Sequence, residues 1–188
     1  MANFSSFRTT SNQGVRFTGN LTAGTGITLK GASYSAYQGV YSDVGKSLTT
    51  AQGDIVISGI SNTSSGNDQT NGTLNTATGG AAVNLNNAQV TAPQGAITAS
   101  GTVNGNGNSA FYSSGSISSA LGITVTGETN STSTNSAVDL TTTSLAVTGT
   151  GSSINLTARR STAGGLAGLN TTGTISGANG SNLTFVSN

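Results

Sequence analysis

Apolar residues recur along this chain at a spacing of about 28 residues, the size of unit that marks a solenoid repeat. The clearest copies read Leu21-Thr-Ala-Gly-Thr-Gly-Ile27-Thr-Leu29, Leu48-Thr-Thr-Ala-Gln-Gly-Asp-Ile55-Val-Ile57, Val90-Thr-Ala-Pro-Gln-Gly-Ala-Ile97-Thr-Ala99 and Ile117-Ser-Ser-Ala-Leu-Gly-Ile123-Thr-Val125. Each has one apolar anchor, a small polar turn containing Gly, and a pair of apolar positions separated by a single residue. The pairs Val83/Leu85, Val138/Leu140, Ile154/Leu156 and Leu183/Phe185 show the same alternation. A period of two places alternate side chains on one buried face, which is the pattern of a strand.

Each coil therefore reads as three short strands. Coil one uses Val15 and Phe17, then Leu21, then Ile27 and Leu29. Coil two uses Tyr37 and Val40, then Leu48, then Ile55 and Ile57. Coil three uses Val83 and Leu85, then Val90, then Ile97 and Ala99. Coil four uses Ala110 and Tyr112, or Phe111 in the other register, then Ile117, then Ile123 and Val125. Coil five uses Val138 and Leu140, then Leu145 and Val147, then Ile154 and Leu156. Coil six uses Leu166 and Leu169, then Ile175, then Leu183 and Phe185. The last pairs begin at 27, 55, 97, 123, 154 and 183, so the steps are about 28, 42, 26, 31 and 29 residues, a solenoid period with one long exception.

The pattern predicts an all-β fold, a right-handed parallel β-helix of about six to seven coils of roughly 28 residues, spanning 15–188. The long step predicts a polar loop insertion around 58–82, or part of an extra coil around Leu74. Residues 1–14, with Phe4 and Phe7, read as a cap over the first coil, or as a start codon and lead joined to an excised piece.

Composition sharpens this picture. The chain has 188 residues, 28 of them Gly, and only 6% are charged. Low charge and many small polar residues are also features of disorder, but disordered chains have no need to keep Ile, Val and Leu in register. Gly, Ser, Thr and Asn are poor helix formers, and no stretch shows helical spacing. The net charge of +1 gives nucleic acid and anionic membranes nothing to grip. No apolar run approaches the ~20 residues that cross a bilayer, and Met1-Ala-Asn-Phe-Ser-Ser has neither region of a signal peptide.

Candidate chemistry is thin. Cys and His are absent, which removes the thiol nucleophile, the usual general base and thiolate metal sites. The acidic residues Asp43, Asp54, Asp68, Glu128 and Asp139 occupy different parts of their coils. They do not form the carboxylate cluster that polysaccharide cleavage needs. No Asp recurs at the repeat period, as calcium-binding solenoids require. We expect no enzyme activity, cofactor or metal. Two features are left as ligand contacts. Tyr34, Tyr37 and Tyr41 form the one aromatic concentration, able to stack on sugar rings or to pack against a coil. Arg159 and Arg160 end a strand, where they meet an acidic glycan or simply solvent.

The segments Gly53-Asp-Ile-Val-Ile-Ser-Gly59, Val83-Asn-Leu-Asn-Asn-Ala-Gln-Val-Thr-Ala92, Gly95-Ala-Ile-Thr-Ala-Ser-Gly101 and Gly122-Ile-Thr-Val-Thr-Gly127 resemble repeats of the filamentous haemagglutinin-like exoproteins. These are the secreted partners of two-partner secretion systems, adhesins and contact-dependent inhibition toxins among them. The resemblance runs from about Leu21 to Phe185. It implies a segment of a long secreted shaft on a Gram-negative surface, whose parent crosses the outer membrane through a transporter partner. The family's secretion domain carries Asn-Pro-Asn motifs. This chain has only Pro93, so the resemblance places it in the repeat shaft.

The expected function is thus structural: a monomeric shaft, open to end-to-end stacking of coil edges, that projects a binding or toxic region and contacts a host glycan or protein receptor. Nucleic acid and membrane insertion are not expected. The alternatives are a carbohydrate-active β-helix enzyme, which needs Asp43, Asp54 and Asp68 to converge on one groove, and an ice-binding solenoid. The latter would need segments such as Thr124-Val-Thr126 and Thr141-Thr-Thr143 to form one array.

Overall fold

The computed structural model describes residues 2–8, 14–33, 38–63, 81–105, 109–130, 136–161 and 168–188. Every strand pair among them is parallel, and the strands form three sheets. Sheet A contains β1 (Ala2–Arg8), β4 (Ile27–Ser33), β7 (Ile55–Thr63), β10 (Ala96–Gly105), β13 (Gly122–Thr129), β16 (Ser153–Arg160) and β19 (Asn182–Ser187). Sheet B contains β2 (Val15–Phe17), β5 (Val40–Ser42), β8 (Val83–Leu85), β11 (Phe111–Ser113), β14 (Val138–Leu140) and β17 (Leu169–Thr171). Sheet C contains β3 (Leu21–Ala23), β6 (Ser47–Thr50), β9 (Gln89–Ala92), β12 (Ser116–Ser119), β15 (Ser144–Val147) and β18 (Thr174–Gly177). The chain visits A, B and C in turn, at about 29 residues per turn. It is a parallel β-solenoid, as the hydrophobic period predicts.

The core is a set of columns. In sheet A, Ile27, Ile55, Ile97, Ile123, Ile154 and Leu183 are register partners from coil to coil, and Leu29, Ile57, Ala99, Val125, Leu156 and Phe185 form the next column. Sheet C supplies Leu21, Leu48, Val90, Ile117, Leu145 and Ile175. In the middle coils these side chains are almost fully buried, each Ile, Leu or Val contributing about 1.5–3 kcal/mol against exposure. No strand among the described residues stacks on β19, so Leu183 and Phe185 remain about half exposed.

Sheet B settles the ambiguous registers. Phe111 pairs with Val83 and Val138 and points inward, so its register is right and the Ala110/Tyr112 alternative is not. In coil two the inward pair is Val40 and Ser42, not Tyr37 and Val40. A serine at an inward position hides the pair from a search for apolar residues; Ser42 Oγ donates to the Asp43 carbonyl. In coil six Leu169 stacks below Val138. Tyr37, Leu166 and Leu74 lie outside the described residues.

Two sequence boundaries read differently in the structure. Residues 2–8 join sheet A as β1, paired with β4 from Ala2↔Ile27 to Arg8↔Ser33. Residues 58–63, inside the segment read as an inserted loop, continue β7, because β10 is long enough to partner them through Thr63↔Gly105. The rest of that segment up to residue 80 lies outside the described residues.

Sheet A runs past the corner at which sheet B begins, and this crossing demands small residues. Cβ atoms on Gly31, Gly59, Gly101 or Gly127 would fall on the carbonyl oxygens of Gly39, Ala82, Ala110 and Ala137, well inside van der Waals contact. In the next coil the pair is reversed: Ala158 stands in the glycine column and Gly168 opposite it. In each of these pairs at least one member is glycine, because the two backbones approach too closely for both residues to carry a side chain. Beyond the crossing, Val103 packs with Ala82 and Ala110 in a small second cluster.

Candidate functional site

The three corners are built differently. Between B and C the chain turns through residues 18–20, 43–46, 86–88, 114–115, 141–143 and 172–173. Gly45, Asn87 and Thr142 take left-handed backbone angles there, with φ of 71°, 51° and 56°. Glycine and asparagine accept that conformation readily, whereas a β-branched threonine carries strain. Side chains of neighbouring coils bind these turns: Ser114 Oγ accepts from Asn87 N at 2.8 Å, and Thr172 Oγ1 accepts from Thr142 N at 3.1 Å. The C-to-A corner is held likewise. Ser119, buried on the inner face, accepts from Gly122 N at 3.0 Å and is 2.7 Å from the Gly95 carbonyl of the preceding coil.

The A-to-B corner carries the length variation, with connections spanning 9–14, 34–39, 64–82, 106–110, 130–137 and 161–168. A cleft of about 480 Å³ opens beside it, at the far ends of β10, β13 and β16. Its lining follows from register. Thr102, Glu128 and Arg159 form one row across three coils, and Val103, Thr129 and Arg160 the next. The Arg159 guanidinium donates to Glu128 Oε1 at 3.0 Å, with both side chains about half exposed. Such an exposed pair orients its partners more than it stabilises the fold. Asn104, also in the lining, donates from Nδ2 to Asn62 Oδ1 of the preceding coil at 2.7 Å. Backbone bonds from Asn130 N to Val103 O and from Ser161 N to Thr129 O hold the rim. The cleft thus offers an ion pair, amides and hydroxyls on a backbone fixed by the sheet: a surface for hydrogen bonding to a polar ligand.

The residues singled out from the sequence separate into two places. Arg159 and Arg160 both line the cleft, but strand alternation sends them to opposite faces. They act individually, Arg159 through Glu128. Tyr41 lies elsewhere, on the outer side of sheet B, where it is 6% exposed. The Arg16 guanidinium sits 5.5 Å from its ring centroid and is bound to Asp43 at 2.8 Å. Burial, and then the Asp43 carboxylate, raise the Tyr41 pKa above 10.0, against the opposing pull of Arg16. Tyr41 is therefore a packed ring under a cation and not an open stacking platform. Tyr34 and Tyr37 lie outside the described residues.

The carboxylates do not gather. Asp43 lies at the B-to-C corner with Arg16, and Asp54 at the C-to-A corner, where its Oδ1 accepts from Ala96 N at 2.8 Å. Asp139 in β14 accepts from Thr141 and from Asn170 Nδ2. Asp68 lies outside the described residues. Among the described residues no three His, Cys, Asp or Glu side chains are grouped to hold a metal ion. Thr124 and Thr126 stand on sheet A, whereas Thr141–Thr143 belong to a turn, so these segments do not share an array.

The pairs Glu128–Arg159, Arg16–Asp43 and Asn62–Asn104 were not found in the sequence. Their separations of 31, 27 and 42 residues match the coil steps, so aligning the coils is the signal that finds them. No family model, curated protein or solved structure matches this chain.

Proposed function

We propose that this chain is a shaft segment of a large secreted bacterial surface protein of the filamentous haemagglutinin type, and that it makes its contacts through the A-to-B corner. The observation that carries this reading is a division of labour. Three sheets keep one register through every described coil, two corners stay short and tied, and variation in connection length falls at one corner, beside the cleft. A repeat scaffold with variable connections on one side is the usual way in which solenoids combine rigidity with recognition. Each described carboxylate is already engaged by a neighbour, which favours binding over catalysis. The ligand class is a host-surface glycan or protein receptor, and the parent chain reaches the surface through an outer-membrane transporter.

The test is glycan-array and host-cell binding by the purified chain, beside a variant lacking residues 64–78. Binding that falls with the deletion supports an adhesive corner. Binding that the deletion leaves unchanged moves the contact from this connection to the cleft at the ends of β10, β13 and β16 or to the sheets. No binding by either protein, with both folded by circular dichroism, removes the contact and leaves a spacer.

A further inference from the structure

We infer that Asn179 is a site of spontaneous deamidation, selected by the fold over the Asn-Gly pair at Asn104, one of the four Asn-Gly pairs in the chain. Both asparagines precede glycine, whose lack of a side chain leaves its backbone nitrogen open to react with the preceding amide. The Gly180 nitrogen attacks Asn179 Cγ and loses its proton; the Cγ–Nδ2 bond breaks and ammonia leaves. Water then opens the resulting succinimide ring at either carbonyl, giving aspartate or isoaspartate. No oxidant or cofactor is involved.

The ring closes only if the asparagine backbone can turn the next nitrogen toward Cγ. Asn179 has that freedom. It lies in an exposed turn at the C-to-A corner, followed by Gly180 at φ 77°. Its carbonyl is held by one long bond, from Gly151 N at 3.4 Å. Asn104 is restrained twice. It lies within β10, with Asn104↔Asn62 and Gly105↔Thr63 in the ladder, and its own amide nitrogen, the leaving group, is bound to Asn62 Oδ1 at 2.7 Å. Reaction at Asn104 requires the strand end to open first.

The product matters for the shaft. Aspartate adds a negative charge to a turn that has none. Isoaspartate inserts an extra backbone carbon and shifts the carbonyl that meets Gly151, weakening the corner contact between coils.

The experiment is a timed incubation at mildly alkaline pH, followed by peptide mapping. Arg160 is the last basic residue, so cleavage there releases Asn179 in the terminal peptide. Fragment ions then distinguish Asn104 from Asn71 and Asn106, which also precede glycine and share its peptide. In the folded chain Asn179 should convert at least about tenfold faster than Asn104, equivalent to about 1.4 kcal/mol of barrier. In concentrated urea the two rates should converge. Equal rates in the folded chain overturn the inference. A difference that persists in urea also overturns it, since neighbouring sequence and not the fold would then set the rates.

Discussion

The A-to-B corner and the other two corners differ in what ties neighbouring coils together. At the B-to-C and C-to-A corners, side chains such as Ser114, Thr172 and Ser119 bind the backbone of adjacent turns. At the A-to-B corner the closest ties lie just inside the connections, where Gly31, Gly59, Gly101 and Gly127 let sheet A cross the start of sheet B. Backbone bonds continue the ladder there, from Val40 N to Ala82 O, Val83 N to Ala110 O and Phe111 N to Ala137 O. The lesson is that a solenoid can leave one corner free in length if the backbone is locked immediately before and after it. Sequence freedom at this corner depends on a column of small residues, Gly31, Gly59, Gly101, Gly127 and Ala158, that has little.

The strongest way to break that comparison is to fill the column. In Gly101→Val the new side chain would meet the Ala110 carbonyl, a backbone group that cannot move without disturbing the β8–β11 ladder. The expected loss is about 3 kcal/mol or more, read as the midpoint of urea unfolding followed by circular dichroism. A loss below about 1 kcal/mol would mean that the crossing is not tightly locked.

The second prediction compares the middle of the stack with its last described coil. Ile123 is fully buried between Ile97 and Ile154, whereas Leu183, in the same column, is 47% exposed. Ile123→Ala should cost about 2–5 kcal/mol, because its neighbours on both sides are held in register and cannot close the cavity. Leu183→Ala should cost less than half as much in the same assay. Equal costs would mean that the column is not a cooperative unit.

Most of the fold was legible because its signal is local and repeated. Ile27, Ile55, Ile97, Ile123 and Ile154 announce their column without any knowledge of contacts. Inward Ser42, Thr50 and Ser119 were not legible, since a buried hydroxyl satisfied by a backbone carbonyl looks like a surface residue in a list of apolar positions. The glycine crossing was hidden for a different reason: it pairs residues across a connection of variable length, so Gly59 meets Ala82 but Gly101 meets Ala110. The cleft was half legible. Arg159 and Arg160 stand out as neighbours in sequence, but Arg159 is paired with Glu128, one coil away, and Arg160 faces the other side of the strand.

The third prediction uses the outer face of sheet B beside the variable corner. Tyr41, Asn84 and Tyr112 point outward there yet are buried, unlike Thr49 and Thr91 on sheet C. The Tyr41 phenol is raised in the folded chain, mainly by burial and secondly by Asp43. As pH climbs past about 10, the unfolded chain releases this proton first. The group's contribution to stability is therefore whole below pH 10 and declines as pH rises through the folded-state value. Urea midpoints should fall across that range, and Tyr41→Phe should flatten part of the fall. An unchanged slope in the variant would mean that the ring is not buried in solution.

The smallest effect should come from shortening the free corner. Deleting residues 64–78 leaves residues 62, 63 and 79–82 between Ser61 and Val83, as many as separate Ser33 from Val40 in the preceding coil. Ser33 and Ser61 are register partners, and so are Val40 and Val83, so the shortened connection joins equivalent points. Loop closure scales only with the logarithm of length, and the deletion should stabilise the chain by about 1 kcal/mol at most. A loss of more than about 2 kcal/mol in the same urea assay would mean that the excursion contributes packing well beyond the entropy of a closed loop. The A-to-B corner would then be as structurally committed as the other two, and the contrast between them would rest on length alone.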